Sequence, residues 1–303
     1  MELILNQWGG FDAVYFAGND AESEKIIDLE FEFEELTYRI SLGKISSGQN
    51  YKISEHIETP KNKYDFENNS EPVLCQMVDN ICGEIIQLRD IIKNIAVYNN
   101  FDTTSKSAIR KPMLSTGVSA RLNPDGGNLT SILNRIKINS KSNYNKIVDS
   151  LQTINPQYNG FDFNFIGGNI ELMLDEKGFD KSIHVTHISD GTLRFLCLLA
   201  IVHNPERGGL VCIDEPENGL HPDMIREFVE SMNNEYSETQ FIISTHSEHI
   251  LNNLSVENVL VCEKDDDNAT IINTFRDKDY VEWASQYSTG KLWRDGDLGG
   301  NRY

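Results

Sequence analysis

The fold is decided by the stretch Gly209-Leu210-Val211-Cys212-Ile213-Asp214-Glu215-Pro216-Glu217-Asn218-Gly219-Leu220-His221-Pro222. A nearly continuous apolar run from Gly209 to Ile213 predicts a strand buried on both faces of a parallel sheet. Two adjacent carboxylates follow at its C-terminal end, the edge of an open α/β sheet where ligands bind. Neighbouring acids repel each other there unless a cation or a reacting water uses them. Asp214 suits a Mg2+ ligand, and Glu215 suits a base that polarises an attacking water. A strand end that merely turns its acids to solvent also fits the pair taken alone. The residues from Glu217 to Pro222, marked by Gly219 and Pro222, form a turn into a helix from Met224.

Working outward, Ser189-Asp190-Gly191-Thr192 opens an apolar helical run from Leu193 to Leu199. A serine and a glycine at a helix start expose backbone N–H groups and the positive end of the dipole, which bind phosphate. Ser189 is equally an ordinary N-cap. On the other side, the apolar strand Gln240–Thr245 ends at His246. A histidine there can bond a phosphate or an attacking water, and it can also be a structural strand-end residue. Strand, helix, strand, helix, strand is the alternation of a parallel sheet.

Taken together, the order S-D-G-T, then D-E-P-E-N-G-L-H-P after an apolar strand, then S-T-H-S after another, resembles an ABC-class ATPase of the RecF/SMC/OLD type. It is most similar to the single-chain AAA-type ATPases of that group, many of them tied to DNA repair or phage defence. D-G-G-N-L at 125–129 and L-W-R-D-G-D-L-G-G at 292–300 extend the likeness to nearly the whole chain. The resemblance implies an α/β, P-loop NTPase-like ATPase head in three parts. These are an antiparallel β lobe over 1–60, a helical insertion over 61–160 and an α/β core over 161–303. It implies ATP and Mg2+ as cofactors, with Asp214 at the metal and Glu215 and His246 as catalytic glutamate and switch histidine. Ser189, Asp190 and Gly191 match the signature that touches ATP held by the opposite protomer. Asn218, Gly219 and His221 fall in the loop that communicates across a homodimer closed around nucleotide.

One expected part is missing. No G-x-x-x-x-G-K-[ST] phosphate loop occurs in the chain, and Gly18 and Lys25 enclose three acids rather than a glycine loop. Without that loop the acid pair would face triphosphate with negative charge alone. Three explanations stand: an N-terminal segment left out, a split ATPase whose first strand and loop come from another polypeptide, and a remnant that keeps the fold as an interaction module.

The rest of the chain supports the same organisation. Ile27–Leu42 alternates Leu29, Phe31 and Phe33 with Glu30, Glu32 and Glu34, which predicts an antiparallel strand pair with an acidic outer face. Asp12–Phe16 and Tyr51–Ile53 read as further strands, and Lys61–Ser70 as a polar connection. From Glu71 to Ile95 the apolar period is helical. Helices are also expected from Asn128 to Ile138 and from Tyr144 to Ile154, and strands over Phe161–Phe165 and Ile170–Leu174. Glu263 and Asp265-Asp266-Asp267 read as an acidic hairpin turn rather than a nuclease centre, because only 57 residues follow His246. A nuclease would therefore be a separate effector protein.

Composition narrows the classes. The 303 residues are 39% hydrophobic and 24% charged, with net charge −20, which opposes uniform coating of nucleic acid. No apolar run is long enough for a membrane span, and the start lacks a secretory pattern. Five cysteines without a C-x-x-C pair read as small buried hydrophobes in a reducing cytoplasm. Charge is uneven: Lys106 to Lys146 holds eight basic residues and one acid, a window of +7. Two readings fit it: contact of Arg110, Lys111, Arg135 and Lys137 with DNA or an acidic partner, or a match to the acidic strands near Glu30–Glu35.

Overall fold

The computed structural model describes residues 26–44, 51–69, 71–75, 83–116, 119–235 and 239–300. The strand expected at Asp12–Phe16 and residues 76–82 of the helix expected from Glu71 lie outside these residues, and Val73–Cys75 form a short 3-10 turn. The chain divides into two compact units, residues 1–93 with 262–271 and residues 94–261 with 272–303.

Residues of alternating character build the first unit. Strands β1 (Ile26–Phe33), β2 (Leu36–Lys44), β3 (Tyr51–Glu58) and β4 (Lys63–Asn69) form an antiparallel sheet in chain order. Leu36, Tyr38, Ile40 and Leu42 of β2 and Ile53 and Ile57 of β3 pack with Ile85 and Leu88 of α1 (Gly83–Lys93). Leu29 and Phe31 of the edge strand β1 stay largely exposed, unlike the half-buried face expected of them. Lys61–Ser70, expected as an irregular connection, contains β4 instead. An edge strand borders water on one side, so its many polar residues hid it from the apolar pattern. Glu55 is buried and accepts bonds from the Tyr38 hydroxyl (2.7 Å) and the Val73 N–H (2.6 Å). Burial first, and then this carboxylate, push the Tyr38 hydroxyl well above the ordinary phenol range.

The second unit starts with β5 (Ile95–Tyr98). Helices α2 (Leu129–Asn139) and α3 (Lys141–Ile154) and the antiparallel hairpin β6 (Tyr158–Ile166) and β7 (Asn169–Glu176) follow. Next come α4 (Asp190–Val202), β8 (Leu210–Asp214), α5 (Pro222–Asn234) and β9 (Gln240–Ser244). Strands β10 (Leu260–Lys264) and β11 (Thr270–Thr274) make a two-stranded sheet whose residues 262–271 belong to the first unit, and α6 (Lys278–Ala284) and α7 (Thr289–Asp295) follow in the second. At the turn of that sheet the Asp265 carboxylate accepts from the N–H groups of Asp267 and Ala269, as an acidic turn requires.

Strand β8 is the centre of a parallel sheet ordered β9-β8-β5. Val211 and Ile213, with Ala96, Tyr98, Phe241 and Ile243, belong to one core with α4 and α5. Helix α4 is apolar all round and buried from Phe195 to Val202, as a central helix must be. The other face of the sheet departs from expectation. Val97 (54% exposed) and Ile242 (48%) flank Cys212 in register, so the apolar run of β8 is covered on one face among the described residues. The segment 61–160 does not stand apart as an insertion, because β5, α2 and α3 contribute to the same sheet and core as residues 161–261. Cys197 is buried as expected, while Cys75 and Cys262 are exposed.

Candidate functional site

The C-terminal ends of β8 and β9 lie side by side, with Asp214 in register with Ser244. The Ser244 hydroxyl donates to the Asp214 carboxylate, and the Ser244 carbonyl accepts from the Glu215 N–H at 3.0 Å. Glu215 holds a left-handed backbone, φ 44°, rare for a residue with a long side chain. Such strain persists only where neighbouring bonds over-determine it. Here the bond to Ser244 and a second one, Asn218 N–H to the Glu215 carbonyl (3.1 Å), do so. The side chain is oriented as well: the Asn218 carboxamide donates to Glu215 Oε2 at 2.8 Å, and His246 Nε2 lies 4.0 Å from Glu215 Oε1. His246 is 84% exposed, so its ring is open to a ligand.

Helix α4 brings the serine–glycine cap to the same neighbourhood. Ser189 accepts from the Thr192 N–H (3.1 Å) as a true N-cap and stays exposed. A Cβ on Gly191 would lie 3.1 Å from the Gly219 carbonyl, so the glycine lets the turn after β8 close against the helix start. Gly219 has φ 74°, and the Arg194 guanidinium lies against it, donating to the Asn218 carbonyl at 2.9 Å. The first-turn N–H groups of a helix lack intrahelical partners and favour an anion. Asp190 would oppose one, but Arg110 neutralises it at 2.6 Å.

Asp214, Glu215, Asn218, Gly219 and His246 thus come together, and Ser189, Asp190 and Gly191 adjoin them through the Gly191–Gly219 contact. His221 is turned to another task, capping α5 by accepting from the Asp223 N–H at 3.3 Å. Three of the four basic residues expected at a DNA or partner contact are used within their own unit, and Arg110 is corrected outright. It is 8% exposed and donates to the carbonyls of Thr103, Val185 and Ile188 at 2.8 Å each. Arg135 pairs with Glu206, and Lys137 pairs with Asp162 at 3.0 Å. Lys111 is exposed. The match to β1 does not hold for the paired residues, because their acids are Asp190, Glu206 and Asp162. Sequence reasoning did not single out Ser244, Arg194 or Glu217. The first stands in the S-T-H-S run and the last between Pro216 and Asn218, where adjacency alone gave them no role.

The oxygen donors fit Mg2+, which takes one or two carboxylates together with substrate phosphates and water. Asp214 is exposed at the strand end with the Ser244 hydroxyl on it, and Glu215 lies alongside. No group of three or more His, Cys, Asp or Glu among the described residues could hold a metal as a dedicated cage.

The model of the family described as "AAA domain, putative AbiEii toxin, Type IV TA system" matches residues 76–252, more than half of the chain. The chain belongs to this AAA-domain family. A curated relative, the "Retron Vc95 probable ATPase" of Vibrio cholerae serotype O1 biovar El Tor, is 29% identical over 101 residues. That match covers 33% of this AAA-domain chain and 20% of the relative, so the chain spans about a fifth of the relative's length. Among solved structures, the SMC head bound to the C-winged helix domain of ScpA is similar at 11% identity and TM-score 0.44, covering 79% of this chain and 75% of that one. The SMC head domain from Thermotoga maritima is similar at 10% identity and TM-score 0.38, covering 87% and 80%. Those likenesses are loose, and the family membership does not depend on them. The relatedness to ATPases is clear. No helix among the described residues is long and apolar enough to cross a membrane.

Proposed function

We propose that this chain is the hydrolytic side of an ATPase head that closes as a homodimer around ATP and Mg2+. One observation carries the reading: Asp214, Glu215 and His246 share one sheet edge, with Glu215 held in a strained, doubly bonded backbone facing His246. Asp214 would hold the ion, which when bound supplies positive charge against the phosphates. Glu215 accepts a proton from water, Asn218 keeps its carboxylate turned, and His246 donates toward the phosphate side. Ser189, exposed, and Gly191, half-buried, at the start of α4 would meet the nucleotide of a second copy. The work coupled to this cycle is a DNA-related task, repair or phage defence, carried out with a separate effector such as a nuclease. The retron relative and the toxin–antitoxin family description support that setting.

A second reading, one part of a split ATPase, is favoured by the open sheet. Among the described residues no strand pairs with the outer edge of β9, and Val97 and Ile242 leave an apolar face beside it. A strand and phosphate loop from another segment, in cis or in trans, would cover both. Nucleotide binding by the 303-residue chain, alone and joined to a segment carrying G-x-x-x-x-G-K-[ST], tests both readings. Mg·ATP binding that appears or tightens at least about tenfold with the added loop supports them. Equal absence of binding in both refutes the ATPase reading.

A further inference from the structure

Glu217 lies two residues beyond Glu215, in the turn that carries Asn218 and Gly219. One of its oxygens, Oε1, accepts two bonds from the end of β9: the Thr245 hydroxyl at 2.7 Å and the backbone N–H of His246 at 3.0 Å. The Thr245 hydroxyl in turn accepts from the Ser247 N–H at 2.9 Å, so the loop around His246 is drawn together on this one atom. The other oxygen, Oε2, is buried without a protein hydrogen-bond partner, so the carboxylate's hold on its surroundings runs through Oε1. Buried carboxylates are costly unless their bonds are made. A glutamate kept here with one oxygen doubly used and one unused is spending its charge on the histidine loop. The same turn is tied on its far side, where Arg194 donates to the Asn218 carbonyl and the Asn218 carboxamide holds Glu215.

We infer that Glu217 is a positioning residue that locks the loop of His246 to the turn of Glu215. The base and the histidine then move as one body when the turn is displaced through α4. The inference rests on the proposed ATPase reading for its purpose, but the lock itself does not need nucleotide to be seen.

Amide hydrogen exchange of His246, measured by NMR on the full chain, reads the lock directly. Removing a charge-assisted acceptor in Glu217→Ala should speed His246 exchange about tenfold or more. Glu217→Gln should keep most of the protection, because its carboxamide oxygen can accept from both donors. Thr245→Val, which leaves Glu217 in place, should give a smaller loss at the same residue and serves if the alanine variant does not fold. Unchanged His246 exchange in Glu217→Ala, or in Thr245→Val where only that variant folds, overturns the lock. Mn2+ added alone then separates the lock from the reading it serves. In the wild type, broadening should reach both Ser244 and the His246 ring. In Glu217→Ala it should persist at Ser244 and weaken at His246, while Glu217→Gln restores it. Broadening of His246 that is equal in all three proteins overturns the positioning role. No broadening of Ser244 in the wild type refutes the metal site of the proposed function while the exchange result still decides the lock.

Discussion

Replacing Arg110 by methionine tests whether this residue belongs to the architecture of the site or to a surface for DNA. The methionine keeps most of the apolar stem and removes the guanidinium. Three carbonyls, those of Thr103, Val185 and Ile188, lose donors at 2.8 Å, and Asp190 loses its cation. An abandoned buried acceptor costs about 1–3 kcal/mol, although a carbonyl's second lone pair and local relaxation reduce the sum. Asp190 is 64% exposed, so losing its partner adds less than about 1 kcal/mol. A total near 3–4 kcal/mol follows, in the range for breaking a buried charged network. Native-state hydrogen exchange of the α4 amides reports this loss for the second unit, and amides from Val185 to Asp190 should lose protection first. A cost below about 1 kcal/mol with unchanged protection there would refute the structural assignment. Lost DNA affinity at unchanged stability would return Arg110 to a nucleic-acid contact.

Two further outcomes are specific. Glu215→Asn, which tolerates the left-handed backbone at φ 44°, should stabilise the fold by about 0.5–1 kcal/mol while abolishing any ATP turnover, measured by urea denaturation and phosphate release. His203 is buried at the end of α4, and burial lowers its pKa to about 4 despite Glu235 at 3.7 Å, too far for a hydrogen bond. The unfolded chain therefore binds a proton that the folded one refuses, so stability should fall by about 3 kcal/mol as pH drops from about 6.5 to about 4. Denaturation of His203→Gln across that window should lack this part of the slope.

Much of the second unit was legible because each element carries its own period. The helical spacing of α2 and α3 and the acids closing β8 are local patterns, as is the alternation of β1 in the first unit. The grouping of the candidate site was legible for a related reason: its members stand at element ends, where residue type and position together suggest chemistry. What stayed hidden depends on contacts between distant segments. Arg135 meets Glu206 across 71 positions and Lys137 meets Asp162 across 25, so a charge count along the chain read neutralised pairs as a basic window. Arg110 looked like a surface cation until the carbonyls before α4 turned out to enclose it. Glu217 gained a role only when β9 came to lie beside β8. The exposed face with Val97 and Ile242 could not be told from a covered one, since the apolar run reads alike in both cases. Strand β4 escaped notice because water, rather than apolar neighbours, serves its outer positions.

The most direct test of the hydrolytic reading is the mass of the Glu215→Gln protein, joined to a phosphate-loop segment, in saturating Mg·ATP. With water activation removed and binding intact, the mass should double and stay doubled, while the wild type returns to monomer as ATP is consumed. A Glu215→Gln protein that binds Mg·ATP yet remains a monomer, or turns it over undiminished, would contradict it.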